Sequence, residues 1–124
     1  MPHRPVGATV HRIVTAVALG ALVLAANAAA ERGPTKHEAA EISHALHTSS
    51  ATHAVKCIHV RNIVISTVGP WSRARIVPCR RGDRALAVLQ LQRGHWRVRD
   101  IGTADVGCTV APRRVRIDLD LICT

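Results

Sequence analysis

Four cysteines constrain this chain more than any other feature: Cys57, Cys79, Cys108 and Cys123. An even count in a small chain points either to two disulfides or to a metal site, and the compartment decides between them. The chain has 124 residues, enough for one small domain and too few for a multidomain enzyme. It contains no Phe and no Tyr, so the core has to be built from Val, Ile, Leu and Ala around Trp71 and Trp96.

The N-terminus supplies the compartment. Residues 1–12 carry His3, Arg4, His11 and Arg12 and no acid. Residues 13–24 are an uncharged apolar run, and residues 25–30 are small, interrupted by Asn27. A basic start, a short apolar stretch and an A-x-A site make residues 1–30 a secretory signal peptide. Cleavage is expected before Glu31 or before Ala29. The apolar run is shorter than the ~20 residues of a spanning helix, so an uncleaved anchor is the lesser alternative. The expected product is secreted, residues 31–124 forming a single small domain. Its loss of Arg4 and Arg12 takes the 17 bases to 15 against 8 acids, a net charge of +7.

In an oxidising compartment the cysteines are expected to pair. Cys57–Cys79 would bracket a hairpin turning near Gly69-Pro70. Cys108–Cys123 would close a short C-terminal loop, worth ~3 kcal/mol in the chain-entropy treatment. No C-x-x-C occurs, and the spacings do not resemble a zinc finger.

Local patterns predict the elements. Thr35 to Glu38 reads as a capping box, opening a helix over 36–48 with Ala39, Ile42, Ala45 and Leu46 on one face. Residues 58–68 and 71–77 read as strands broken by Gly69-Pro70. Residues 86–92 and 95–101 flank Arg93-Gly94, a two-residue turn. That turn sets Gln92 against His95, Leu91 against Trp96, Gln90 against Arg97, Leu89 against Val98 and Val88 against Arg99. One face is then apolar and the other wet and basic. Residues 110–124 are ambiguous. Val115 to Cys123 alternates as a strand does, whereas Pro112-Arg113 suits the start of a short helix burying Val115 and Leu119. A short helical turn ending in an extended segment tied by Cys123 is preferred.

Four segments resemble a group of small exported proteins of actinobacteria. They are I-S-T-V-x-P-W from Ile65, A-V-L-x-x-x-x-G-x-W-R-V from Ala87, G-T-x-x-V-G-C from Gly102 and D-L-x-L-x-C from Asp118. The resemblance covers residues 42–124 and implies a secreted helix-plus-sheet domain with no established activity. Cys108 and Cys123 fit its pattern, whereas Cys57 and Cys79 are additional to it.

The expected fold is α+β: one N-terminal helix on a four-stranded antiparallel meander, cystatin-like or NTF2-like in outline, with a disulfide-tied C-terminal segment. Chemistry-bearing groups are few. His37, Glu41 and His44 share a helical face, but Glu41 stands where a zincin has its second His, so no metal is expected. His95, Arg97 and Arg99, with Gln90 and Gln92, form a candidate anion-binding group. The composition and motifs call for no cofactor and no catalytic triad, and no sequence-specific nucleic-acid motif is present. A strongly cationic exported domain is drawn to polyanions. The leading expectation is therefore a non-enzymatic secreted domain that associates with an anionic cell-envelope polymer or membrane surface. The alternatives are a small ribonuclease-like hydrolase using His95 or His59, and an extracellular protease inhibitor.

Overall fold

A computed structural model describes residues 2–3 and 31–124. The expected export segment, residues 1–30, lies outside the described residues but for positions 2 and 3. Among the described residues no helix is long and apolar enough to cross a membrane.

Helix α1 (Lys36–Thr48) begins where its caps dictate. The Glu38 N–H donates to the Thr35 hydroxyl at 3.1 Å, and the Thr35 N–H donates to the Glu38 carboxylate at 3.0 Å. Two otherwise orphaned donors are thereby satisfied. Arg32 donates to both Glu38 oxygens, at 2.8 and 2.9 Å. Arg32 is also bridged through its backbone to Ile65, so the lead into the helix is stitched to the sheet. A 3₁₀ turn, Ser50–Thr52, ends the helical region.

The sheet has four antiparallel strands in sequence order: β1 (Ile58–Ile65), β2 (Trp71–Pro78), β3 (Ala85–Gln92) and β4 (His95–Gly102). The first face packs on α1 and buries Ile42, Leu46, Ile58, Ile65, Ala74, Ile76, Ala87, Leu89 and Trp96. Strand β1 stops at Ile65 rather than running to 68, because residues 66–68 turn to bind the C-terminal segment.

Two bulges correct the simple alternation. In β1 the register shifts between Arg61 and Val64, with Asn62 left-handed at φ 49°. This keeps Ile58 and Val60 before the bulge, and Ile63 and Ile65 after it, on the helix face. In β4 Leu89 faces Val98, but Val88 faces Asp100, not Arg99. Arg99 is the extra residue. Had Arg99 been paired in strict alternation instead, Asp100 would point into the α1 core and Ile101 away from it. With it Ile101 packs against that core, and Asp100 accepts the Gly107 N–H at 2.8 Å.

The wet face expected of the sheet is only partly wet. Residues 103–124 fold back across it, carrying the short helix α2 (Arg113–Asp118). They enclose a second core of Trp71, Val88, Val106, Ala111, Val115 and Leu119. Val88 and Leu119 are fully buried, and each such side chain contributes ~1.5–3 kcal/mol. The C-terminal ambiguity thus resolves to a helical turn followed by an extended tail. Asp118 fastens it: the Ser66 hydroxyl and the Thr67 N–H each donate to its carboxylate at 2.7 Å. Both expected disulfides form, Cys57–Cys79 and Cys108–Cys123.

The Arg32 hydrogen bonds, with those of Thr35, pull the Glu38 pKa down to about 2. Burial raises that of Asp118, but hydrogen bonds from Ser66 and Thr67 outweigh it and the net shift is downward. Unfolded carboxyls titrate near ~4. Stability from both groups is therefore full above ~pH 5 and lost as pH falls through the folded values. Thermal midpoints of wild type should drop between pH 5 and 2, and Glu38→Gln should flatten that drop. An equally steep drop in the variant would show that the capping network carries no such linkage.

Gly107 is left-handed at φ 78°, and a Cβ there would lie 2.8 Å from Val88 Cγ2 and 3.0 Å from Leu121 Cδ1. Gly107→Ala should cost about 2 kcal/mol by urea unfolding, from overpacking and backbone strain together. Gly33→Ala, where a Cβ meets nothing within 4 Å, is the matched control and should be near neutral.

Candidate functional site

The β3–β4 hairpin carries a group of arginines without carboxylate partners among the described residues, in a defined geometry. Arg93 and Gly94 both have positive φ, 49° and 79°, the conformation of the type I′ turn that suits sheet twist. The turn sets Arg97 against Gln90 and His95 against Gln92, as the sequence predicts. Arg93, His95, Arg97 and Arg99 are all exposed.

The bulge gives Arg99 a distinct role. Its guanidinium lies 5.6 Å from the ring centroid of Trp71, a cation–π contact, and donates to Gln90 Oε1. Gln92 Nε2 donates to the same oxygen at 2.8 Å. Arg99 is thus held in place, while Arg97 and Arg93 line a shallow groove with Gln92. Trp71 is buried at the rim of the second core, so the arginine rests on a fixed platform.

Three ion pairs form among the described residues: Arg32–Glu38, Arg73–Glu31 and His37–Glu41. Arg93, Arg97 and Arg99 have no carboxylate within 4.0 Å among the described residues, nor do Arg113, Arg114 and Arg116 on α2. Of these, Arg93, Arg97, Arg99, Arg113 and Arg114 are exposed and present their charge to solvent, whereas Arg116 is half-buried and donates to the Cys108 carbonyl at 3.3 Å.

The histidines separate. His59 lies on β1 and His95 on β4, the two outer strands of the sheet. Three strand spacings of ~4.8 Å put them ~14 Å apart across the sheet, so the two do not form an acid–base pair. His95 instead borders a groove of 410 Å³ against α1, shared with His37, Glu41, His44 and Trp96. Sequence reasoning treated the α1 histidines as an isolated helix surface; the hairpin end in fact comes alongside them. His37 Nε2 lies 3.3 Å from Glu41 Oε1. No group of three or more His, Cys, Asp or Glu side chains among the described residues is placed to hold a metal ion.

Two features escaped the sequence reading. The Trp71 platform under Arg99 depends on the bulge, whose trace is the two polar residues, Arg99 and Asp100, between apolar Val98 and Ile101. The cover over the second face left a fainter trace, the apolar Val88 on a face otherwise read as polar. No protein-family model, curated protein or solved structure matches the chain.

Proposed function

We propose that this protein is a non-catalytic, exported basic domain that binds an anionic polymer of the cell envelope through Arg93, Arg97 and Arg99. The observation that carries this reading is that these three exposed arginines lie on one rigid hairpin and have no carboxylate partner among the described residues. The physical basis is counterion release. A polyphosphate chain held by fixed guanidiniums sheds its condensed cations, and affinity falls steeply with salt. Arg99, stacked on Trp71 and held by Gln90, loses little conformational freedom on binding. The scarcity of exposed aromatics favours backbone charge over base stacking, hence a polymer such as a wall polyphosphate diester rather than single-stranded nucleic acid. The disulfides suit an extracellular setting.

Binding of the purified, oxidised protein to phosphate-diester polymer and to neutral polysaccharide should be compared across salt concentrations. The phosphate polymer should bind selectively, and Arg93→Gln/Arg97→Gln/Arg99→Gln should reduce the slope of log affinity against log salt by ~2, about 0.7 for each charge removed. An unchanged slope would move the site away from the hairpin. Cleavage of RNA that His95→Ala abolishes would replace this reading with the hydrolase.

A further inference from the structure

A second cavity of 380 Å³ lies between the sheet and the C-terminal cover, apart from the hairpin arginines. Its sheet wall carries Arg73 and Arg75 of β2 beside Leu86 of β3, and its cover wall carries Asp105 and Asp120. Such a volume falls at the small end of ligand pockets, ~300–1,000 Å³.

The sheet wall is short of acceptors. Arg73 and Arg75 are two residues apart on the same strand face, ~7 Å between Cα atoms. The Arg73 side chain is only 17% exposed, and its Nη2 donates to Glu31 at 2.9 Å. Its Nε is buried with no hydrogen-bond partner. Half-buried Arg75 has neither a hydrogen bond nor an ion pair among the described residues. An unmet buried donor and a neighbouring like charge are both unfavourable, and an anion placed between them would relieve both.

The cover wall has the opposite sign. Asp105 accepts the Thr124 N–H and hydroxyl, each at 2.8 Å, which fixes the carboxylate in place. Asp120 is exposed at the mouth in a left-handed conformation, φ 52°. Neither carboxylate comes within 4.0 Å of Arg73 or Arg75. A simple anion would satisfy the arginines but face the two acids, and a simple cation would do the reverse. A dipolar molecule satisfies both walls. We propose that this cavity binds a small zwitterion of the amino-acid class, its carboxylate on Arg73 and Arg75 and its ammonium towards Asp105 and Asp120. Leu86 and Val106 offer the apolar surface for its side chain.

The test is an amide-shift titration of the purified, oxidised protein with L-leucine and glycine. 4-Methylpentanoate and 3-methylbutylamine serve as matched one-ended probes. L-leucine should give saturable shifts at residues 103–106 and 120–124. The one-ended probes should bind at least ~10-fold more weakly. Arg75→Gln and Asp120→Asn should each weaken L-leucine at least ~10-fold, whereas Arg97→Gln should not. Arg75 has no partner to lose, and Asn tolerates the left-handed backbone at 120, so both variants should keep the wild-type pattern of amide shifts. The absence of saturable shifts with both amino acids would overturn the proposal. So would equal binding of 4-methylpentanoate, or affinities that neither variant changes. Because Arg97→Gln tests the hairpin separately, failure here is distinguishable from failure of the polymer reading.

Discussion

The Asp118 carboxylate is the fastening on which the second half of the molecule depends. It accepts the Ser66 hydroxyl, the Thr67 N–H and the Thr67 hydroxyl, all from the loop that joins β1 to β2. Charge-assisted bonds of this kind contribute ~1.5–3 kcal/mol apiece, more than a neutral pair. They anchor the end of α2 at one side of the sheet. The Cys108–Cys123 disulfide closes the same segment on itself. Between these two ties Val115 and Leu119 are held over Trp71 and Val88.

That cover follows from composition. A chain without Phe or Tyr cannot bury much area per core residue, so one helix on one side of a sheet leaves a thin core. Covering the second face places consecutive residues Ala87, Val88 and Leu89 all out of water. The bulge at Arg99 makes the arrangement consistent. It turns Asp100 towards the cover, where the Gly107 N–H reaches it, and returns Ile101 to the α1 side. One extra residue thus serves both cores at once.

The same cover sorts the positive charge. Arginines at the hairpin end extend past it and stay in water, one of them braced on Trp71. Arg73 and Arg75 lie under its edge and become half-buried around a cavity. Arg32 is absorbed into the cap of α1. Three environments arise from one residue type, and they support different roles: a salt-sensitive surface, a shielded pocket and a structural clasp.

Local chemistry was legible from the sequence wherever neighbours in the chain decided the outcome. The capping box at Thr35 and Glu38, the helix it opens, the Arg93-Gly94 turn and the first four pairs of its hairpin are of this kind, since short-range hydrogen bonds and strict alternation specify them. The disulfide pairing was legible too, because each pair closes its own local loop. The exposed arginines of the hairpin could be read from alternation alone. Only the tertiary structure decided that residues 103–124 cross the second face, that Arg99 meets Trp71, that His59 and His95 sit on opposite edges, and that Arg73 and Arg75 share a cavity with Asp105 and Asp120. Each of these depends on contacts between segments far apart in the chain, and such contacts are set by the packing of whole faces, which no local period in the sequence encodes.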